Sequence, residues 1–79
     1  MVEIEQMLIE WSEYVRYRAV IRGFELAKID HILRFSGERY LDTVTGRLIA
    51  AGKHDDSLVI IPYEQKGTII IPITIHATS

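Results

Sequence analysis

The sequence predicts an α+β domain in which two N-terminal antiparallel helices pack on one face of a four-stranded antiparallel sheet. Apolar residues recur at helical spacing in the first 35 positions. After Gly37 the apolar period changes to two, which is typical of strands. Short segments with turn-forming residues separate the strands, and short connections make neighbouring strands antiparallel.

The two helices are predicted from apolar stripes and from glycines that end them. Glutamates near the start of the first stripe suit the positive end of a helix dipole, and Gly23 is expected to end that helix in the left-handed conformation. A second helix over 25–35 stops before Ser36 and Gly37. The apolar stripe of the first helix comprises Ile4, Met7, Leu8, Trp11, Val15 and Ala19, and that of the second comprises Leu26, Ile29 and Leu33.

Four strands are predicted over 38–43, 47–54, 58–64 and 68–76. The third is apolar on both faces, which indicates a central position or a covered outer face. In the fourth strand, alternation separates two rows of side chains. We expect the isoleucines at 69, 71, 73 and 75 to pack on the helices, with Ile70, Pro72, Thr74 and His76 on the other side.

Length and composition predict one globular domain over residues 1–79. There is no cysteine, and neither a signal-peptide pattern nor an apolar run of membrane-spanning length, so we expect a cytoplasmic protein. The net charge of −2 is unevenly distributed. Residues 14–54 hold eight bases and four acids, a local excess of +4, which can mark an anion-binding surface.

The spacing of the first helix continues its core-facing stripe into Arg18 and Arg22. A guanidinium there must find carboxylates, backbone carbonyls or an anionic ligand. Ion pairs with Glu38, Asp42 or Glu64 are the favoured interpretation, and a bound anion is the alternative.

A second candidate group lies on the predicted sheet. Arg47 and Lys53 share a parity on the second strand, while Thr74 and His76 share one on the fourth. If both rows lie on the helix-free side, with Tyr63 nearby, the bases could stabilise a phosphate while His or Tyr moves protons. An ordinary solvated sheet face is the favoured alternative, because a one-residue slip would reverse every side chain.

Several other kinds of site are not indicated. The three histidines lack metal-ligand spacing, and no cofactor is predicted. Neither a phosphate-binding glycine loop nor a nucleophile motif is present.

Short motifs spread over most of the chain resemble small BrnT-like proteins of the RelE/ParE toxin superfamily. The motifs are Tyr14-x3-Arg18-x3-Arg22-Gly23-Phe24, the segment Asp42-Thr43-Val44-Thr45-Gly46-Arg47-Leu48, and the final Ile73-Thr74-Ile75-His76-Ala77-Thr78. The resemblance implies a RelE-like fold and a metal-independent ribonuclease acting on mRNA, the toxin of a bacterial type II toxin–antitoxin pair. It implies that Arg47 and Lys53 bind the scissile phosphate and that His76 transfers a proton. Arg18 and Arg22 match the helix motif of the family, whose role can be structural. The substrate-binding residues we expect are Arg18, Arg22, Tyr63 and Thr74, the last two from their place on the predicted sheet.

Three functional hypotheses follow. The first is the toxin, with RNA and an antitoxin protein as partners. The second is a non-catalytic homodimeric or partner-binding module on the same fold, which uses an exposed strand and the apolar third strand. The third is a small-ligand domain in which Arg18 and Arg22 hold an anion. None of the three requires a membrane, and we expect a homo-oligomer.

Overall fold

The computed structural model describes residues 7–78, which form two helices and six strands. In chain order these are β1 (Leu8–Ile9), α1 (Glu13–Arg22), α2 (Leu26–Phe35), β2 (Glu38–Leu41), β3 (Leu48–His54), β4 (Ser57–Lys66), β5 (Ile69–Pro72) and β6 (His76–Thr78). The predicted α+β class is therefore confirmed. Within the described range, neither helix is long and apolar enough to cross a membrane.

The six strands form one mixed sheet instead of the predicted four-stranded antiparallel sheet. Its order is β1-β5-β4-β3-β2, and β6 also pairs with β4. The pairs β2–β3, β3–β4 and β4–β5 are antiparallel as predicted, whereas β1 runs parallel to β5. Strand β4 is central, because it pairs with β3 on one side and with both β5 and β6 on the other.

The first helix was predicted to contain an apolar stripe that starts at Ile4. For residues 8 and 9 this helical prediction is wrong. These two residues form β1, where the N–H of Leu8 donates to the Thr68 carbonyl over 2.9 Å. Helix α1 begins only after Ser12, whose Oγ accepts a hydrogen bond from the Val15 N–H at 3.1 Å. It ends at Gly23 (φ 75°), as predicted. The predicted stripe residue Ile4 lies outside the described residues.

The prediction of which face each residue of the last strand occupies is wrong for residues 69–72. Ile70 and Pro72 are buried on the helix side, while Ile69 and Ile71 lie on the opposite face. Between β5 and β6 the ladder is interrupted, and the chain shifts by one residue, so that Ile75 returns to the core. Pro72 offers no N–H to a ladder, which favours such a break.

One hydrophobic core lies between the helices and the sheet. Its helix residues include Val15, Ala19, Ile29, Ile32 and Leu33, all buried. All of its residues in β3, β4 and β5 lie on a single face of the sheet, so both helices cover that face, and among residues 7–78 no helix covers the other. These sheet residues are Ala50, Val59, Ile61, Tyr63 and Ile70.

Candidate functional site

The helix-free face of the sheet, here called the open face, is identified by the alternation of β3. A Cβ placed on Gly52 would lie 3.0 Å from two side-chain carbons of Ile32 in α2, so Gly52 faces the helices. Ile49, Ala51 and Lys53 have the opposite parity and lie on the open face. The ladder registers extend this assignment to the neighbouring strands.

The open face carries a continuous apolar surface. Tyr40, Ile49 and Pro62 form one row across β2, β3 and β4, and Ala51 and Ile60 pair in the next. Ile49, Ile60 and Pro62 remain partly accessible and Tyr40 is 56 % exposed, whereas Ala51 between them is only 5 % exposed. The surface extends through Leu58, Ile71, Ile69 and Leu8.

Several charged or titratable side chains of the open face lie around this apolar centre. At one end of β3 and β4 are Arg47 and Glu64, and at the other end is Lys53. On the flanks, Glu38 pairs in register with Ala51, and His76 pairs in register with Ile60. All five residues are exposed.

The structure places Arg47, Lys53 and His76 on one face but does not bring them together. Arg47 directly precedes β3 and Lys53 lies six residues further along. At about 3.3 Å per residue, their Cα atoms are about 20 Å apart, well beyond simultaneous contact with one phosphate. Thr74 lies in the interruption between β5 and β6 and is half-buried.

Tyr63 lies on the opposite, helix-covered face and is buried at 3 % exposure. Its hydroxyl accepts a hydrogen bond from Arg39 Nη1 at 2.9 Å, and the Arg39 guanidinium lies 5.7 Å from the centre of the Tyr63 ring. Arg39 Nη2 also donates to the carbonyl of Leu33 in α2. This cation therefore ties β2 and β4 to the helix layer.

Arg18 and Arg22 do not form the expected ion pairs. Arg18 Nε donates to the carbonyl of Ile75 at 3.0 Å, which anchors the interruption between β5 and β6 to α1. Arg22 is exposed. Neither guanidinium has a carboxylate partner among residues 7–78, so the favoured ion-pair interpretation is wrong within that range.

Sequence reasoning overlooked Arg39 and His54, the two polar residues that join the layers. Arg39 shares the parity of Leu41 on β2, and His54 shares the parity of Gly52 on β3. Strand alternation alone would have placed both side chains on the helix-covered face of the sheet. It was overlooked because neither residue belongs to a catalytic or metal-binding motif.

The shifted pKa values mark structural contacts away from the open-face centre. Lys28 donates a 2.5 Å hydrogen bond to Asp55, which raises the pKa of Lys28 and lowers that of Asp55. The pKa of Asp42 is lowered chiefly by a hydrogen bond from the Thr45 hydroxyl within the β2–β3 turn. Among residues 7–78, no cluster of His, Asp and Glu is arranged to hold a metal ion.

Two further apolar features lie outside the centre of the open face. A groove of about 440 Å³ at the β1 edge is lined by Leu8, Ile9, Glu10 and Ile69. On the far side of the molecule, the outer surface of α1 exposes Val20 (78 %), together with Tyr14, Tyr17 and Ile21.

Comparison with models of protein families, with curated proteins and with solved structures found no match to this chain.

Proposed function

We propose that this chain is a cytoplasmic, non-catalytic binding module whose open face is covered by a protein partner. The observation that carries the proposal is the row of Tyr40, Ile49 and Pro62 across three strands, with Ala51 and Ile60 beside it. An antiparallel sheet with one face on a core usually presents polar residues on its other face. A contiguous exposed apolar patch instead marks an interaction site.

The distribution of charge supports the same function. Arg47, Glu64 and Lys53 lie at the ends of the apolar surface, and Glu38 and His76 lie at its sides. An apolar centre with a charged margin is the usual anatomy of a protein–protein interface. Because Arg47 and Lys53 are about 20 Å apart, the same layout is poorly suited to holding one scissile phosphate.

Site-specific photo-crosslinking in cells tests the proposal. A photoreactive phenylalanine analogue at position 40 samples the open face, and the same analogue at position 17 samples the outer surface of α1. We expect a protein adduct of defined mass from position 40 that is lost when Ile60→Glu is added. Position 17 should give no such adduct. Equal background from both positions would contradict the proposal.

A second candidate is the RelE-like toxin ribonuclease implied by the family resemblance. What favours it is that Arg47, Lys53 and His76 share the open face. Inducing the chain in cells, beside Arg47→Ala and His76→Ala variants, distinguishes the two functions. The binding module predicts unchanged growth and intact RNA for all three proteins. Growth arrest and RNA cleavage that both substitutions abolish would favour the toxin.

A further inference from the structure

We infer that the partner on the open face is a second copy of this chain, packed sheet against sheet. The two-fold axis would lie midway between the two sheets and parallel to the strands. In projection it would pass between β3 and β4 of each copy. This inference rests on the proposed function, because it requires the open face to bind protein. The register of the sheet defines which residues would meet.

The axis brings each open-face residue of β3 opposite its own β4 ladder partner in the other copy. Ile49 would therefore face Pro62 of the second copy, and Ala51 would face Ile60 of the second copy. Both pairs occur twice, because the interface is symmetric. The centre of the contact is consequently apolar.

Two pairs of side chains at the margins become complementary under the same operation, whereas Lys53 would face Leu58 of the second copy. Arg47 lies one position before the Leu48–Tyr63 pair, so the extended register places it opposite Glu64 of the second copy. Glu38 is aligned with Ala51, and His76 is aligned with Ile60 on the far side of β4. Glu38 would therefore face His76 of the second copy. Aligned sheets cross at about 30°, which displaces these pairs by about 4–5 Å, because they lie about 8–10 Å from the centre of the contact. Long side chains can still span that displacement.

An axis across the strands is less favourable. If it passed through the row of Ile49 and Pro62, it would set Glu38 opposite Asp42 of the second copy. Those two carboxylates would repel each other, and Arg47 would face Ala51 of the second copy instead of an acid. Charge complementarity therefore selects the axis along the strands.

The available area indicates a weak dimer. Four strands spaced about 4.8 Å apart and about 20 Å long give a face of roughly 400 Å² in projection. Sheet packing would then bury on the order of 1,000 Å² of accessible surface in total, near the lower bound of specific interfaces. We expect dissociation in the micromolar range.

A charge-reversal mixing experiment tests the inference on the purified full chain. Arg47→Glu and Glu64→Arg should each weaken the dimer about tenfold in sedimentation equilibrium, because each places like charges across the interface twice. An equimolar mixture should recover wild-type affinity to within about threefold, since the heterodimer has two opposite-charge contacts. A purely intramolecular Arg47–Glu64 contact would not be repaired by mixing, so a mixture that stays weak would overturn the inference.

Two further measurements identify the surface and the axis. Ile60→Glu should abolish the dimer, whereas Val20→Glu on the outer surface of α1 should leave it unchanged, with folding followed by circular dichroism. The reverse pattern would overturn the inference. Because the chain has no cysteine, Lys53→Cys provides a unique spin-label site. The Cα atoms of residue 53 in the two copies would lie about 11 Å apart for the axis along the strands and about 28 Å apart for the axis across them. The longer distance would contradict our arrangement.

The outcomes also separate this inference from the proposed function. A purified chain that remains monomeric up to about 1 mM, together with a position-40 adduct containing a different protein, would refute the second copy and retain the binding module. A monomer with no position-40 adduct would refute both.

Discussion

The main-chain N–H of Glu25 donates a hydrogen bond to Nε2 of the buried His54 imidazole across 2.9 Å. Glu25 is the N-cap residue of α2, and its own side chain provides no capping bond. The imidazole at the end of β3 thus satisfies one of the N–H groups that the start of α2 leaves without an intrahelical acceptor. Phe24 packs edge-on against the same ring, with the ring centres 5.3 Å apart.

Replacing His54 by leucine should lower the free energy of unfolding by about 1–3 kcal/mol, because the Glu25 N–H would lose its acceptor in a poorly solvated position. His54→Gln offers a side-chain oxygen and should lose less. Urea unfolding followed by circular dichroism at one fixed protein concentration measures both variants. His31→Gln on exposed α2 surface is the control. Equal stability of His54→Leu and wild type would show that the bond contributes nothing.

Gly52→Ala should destabilise the fold by about 1 kcal/mol, since its Cβ would lie only 3.0 Å from Ile32 Cγ1 and Cγ2. Removing both γ carbons of the opposing side chain with Ile32→Ala should relieve this crowding. A double-mutant cycle measured by thermal unfolding would then give a favourable coupling energy. Gly37→Ala, with open space around its Cβ, is the matched control. Strictly additive effects would exclude direct crowding between positions 52 and 32.

Arg39→Lys should lower stability by about 1 kcal/mol although the charge is retained. A lysine ammonium cannot donate from a planar fork to the Leu33 carbonyl and the Tyr63 hydroxyl together. Tyr63→Phe removes one acceptor and should make the Arg39→Lys change less costly in chemical denaturation. The exposed Arg16→Lys change should have almost no effect. If Arg39→Lys behaves like Arg16→Lys, the fork geometry is unimportant.

The ion pair of Lys28 and Asp55 should make stability depend on pH at both extremes. The pKa of Asp55 is lowered chiefly by the hydrogen bond from Lys28, so this contribution is present above the ordinary value of 3.8 and is lost as pH falls through the lower folded value. The pKa of Lys28 is raised chiefly by Asp55 and then by Glu25. Its contribution is present below the ordinary value of 10.5 and is lost as pH rises through the higher folded value.

Lys28→Met should therefore lower the melting temperature most between these two limits, with the difference from wild type shrinking at either extreme. Melting curves recorded across the pH range measure it. Arg16→Met, which removes a base without an ion partner among residues 7–78, is the comparison. A Lys28→Met difference that stays constant through both limits would rule out the pair as its source.

The candidate site was only partly predictable. Shared parity correctly places Arg47 and Lys53 on one face, and the apolar third strand correctly indicates a central position. The separation of the two bases follows directly from strand geometry, yet the resemblance to a ribonuclease family implied that they act together. Tyr63 was expected near them, but the register with β3 turns it towards the helices.

Local patterns determined the elements whose hydrogen bonds are local. Helix α2 is observed at Leu26–Phe35, within one residue of its predicted start, because its apolar spacing and the Ser36-Gly37 stop lie within one segment. Strands β2 to β5 have the predicted order and antiparallel pairing, because their short turns leave little choice of neighbour.

Two features were decided only by the tertiary structure. One is that Leu8–Ile9 form a strand and not a helix, and the other is which residues of the last strand face the helices. Leu8 and Ile9 have spacing compatible with a helix, but they pair with Ile69 and Ile70, some sixty positions along the chain. Likewise, the interruption after Pro72 reverses the parity between β5 and β6 and returns Ile75 to the core. In both segments, distant backbone pairing and core packing outweigh a local periodicity too short to specify one structure.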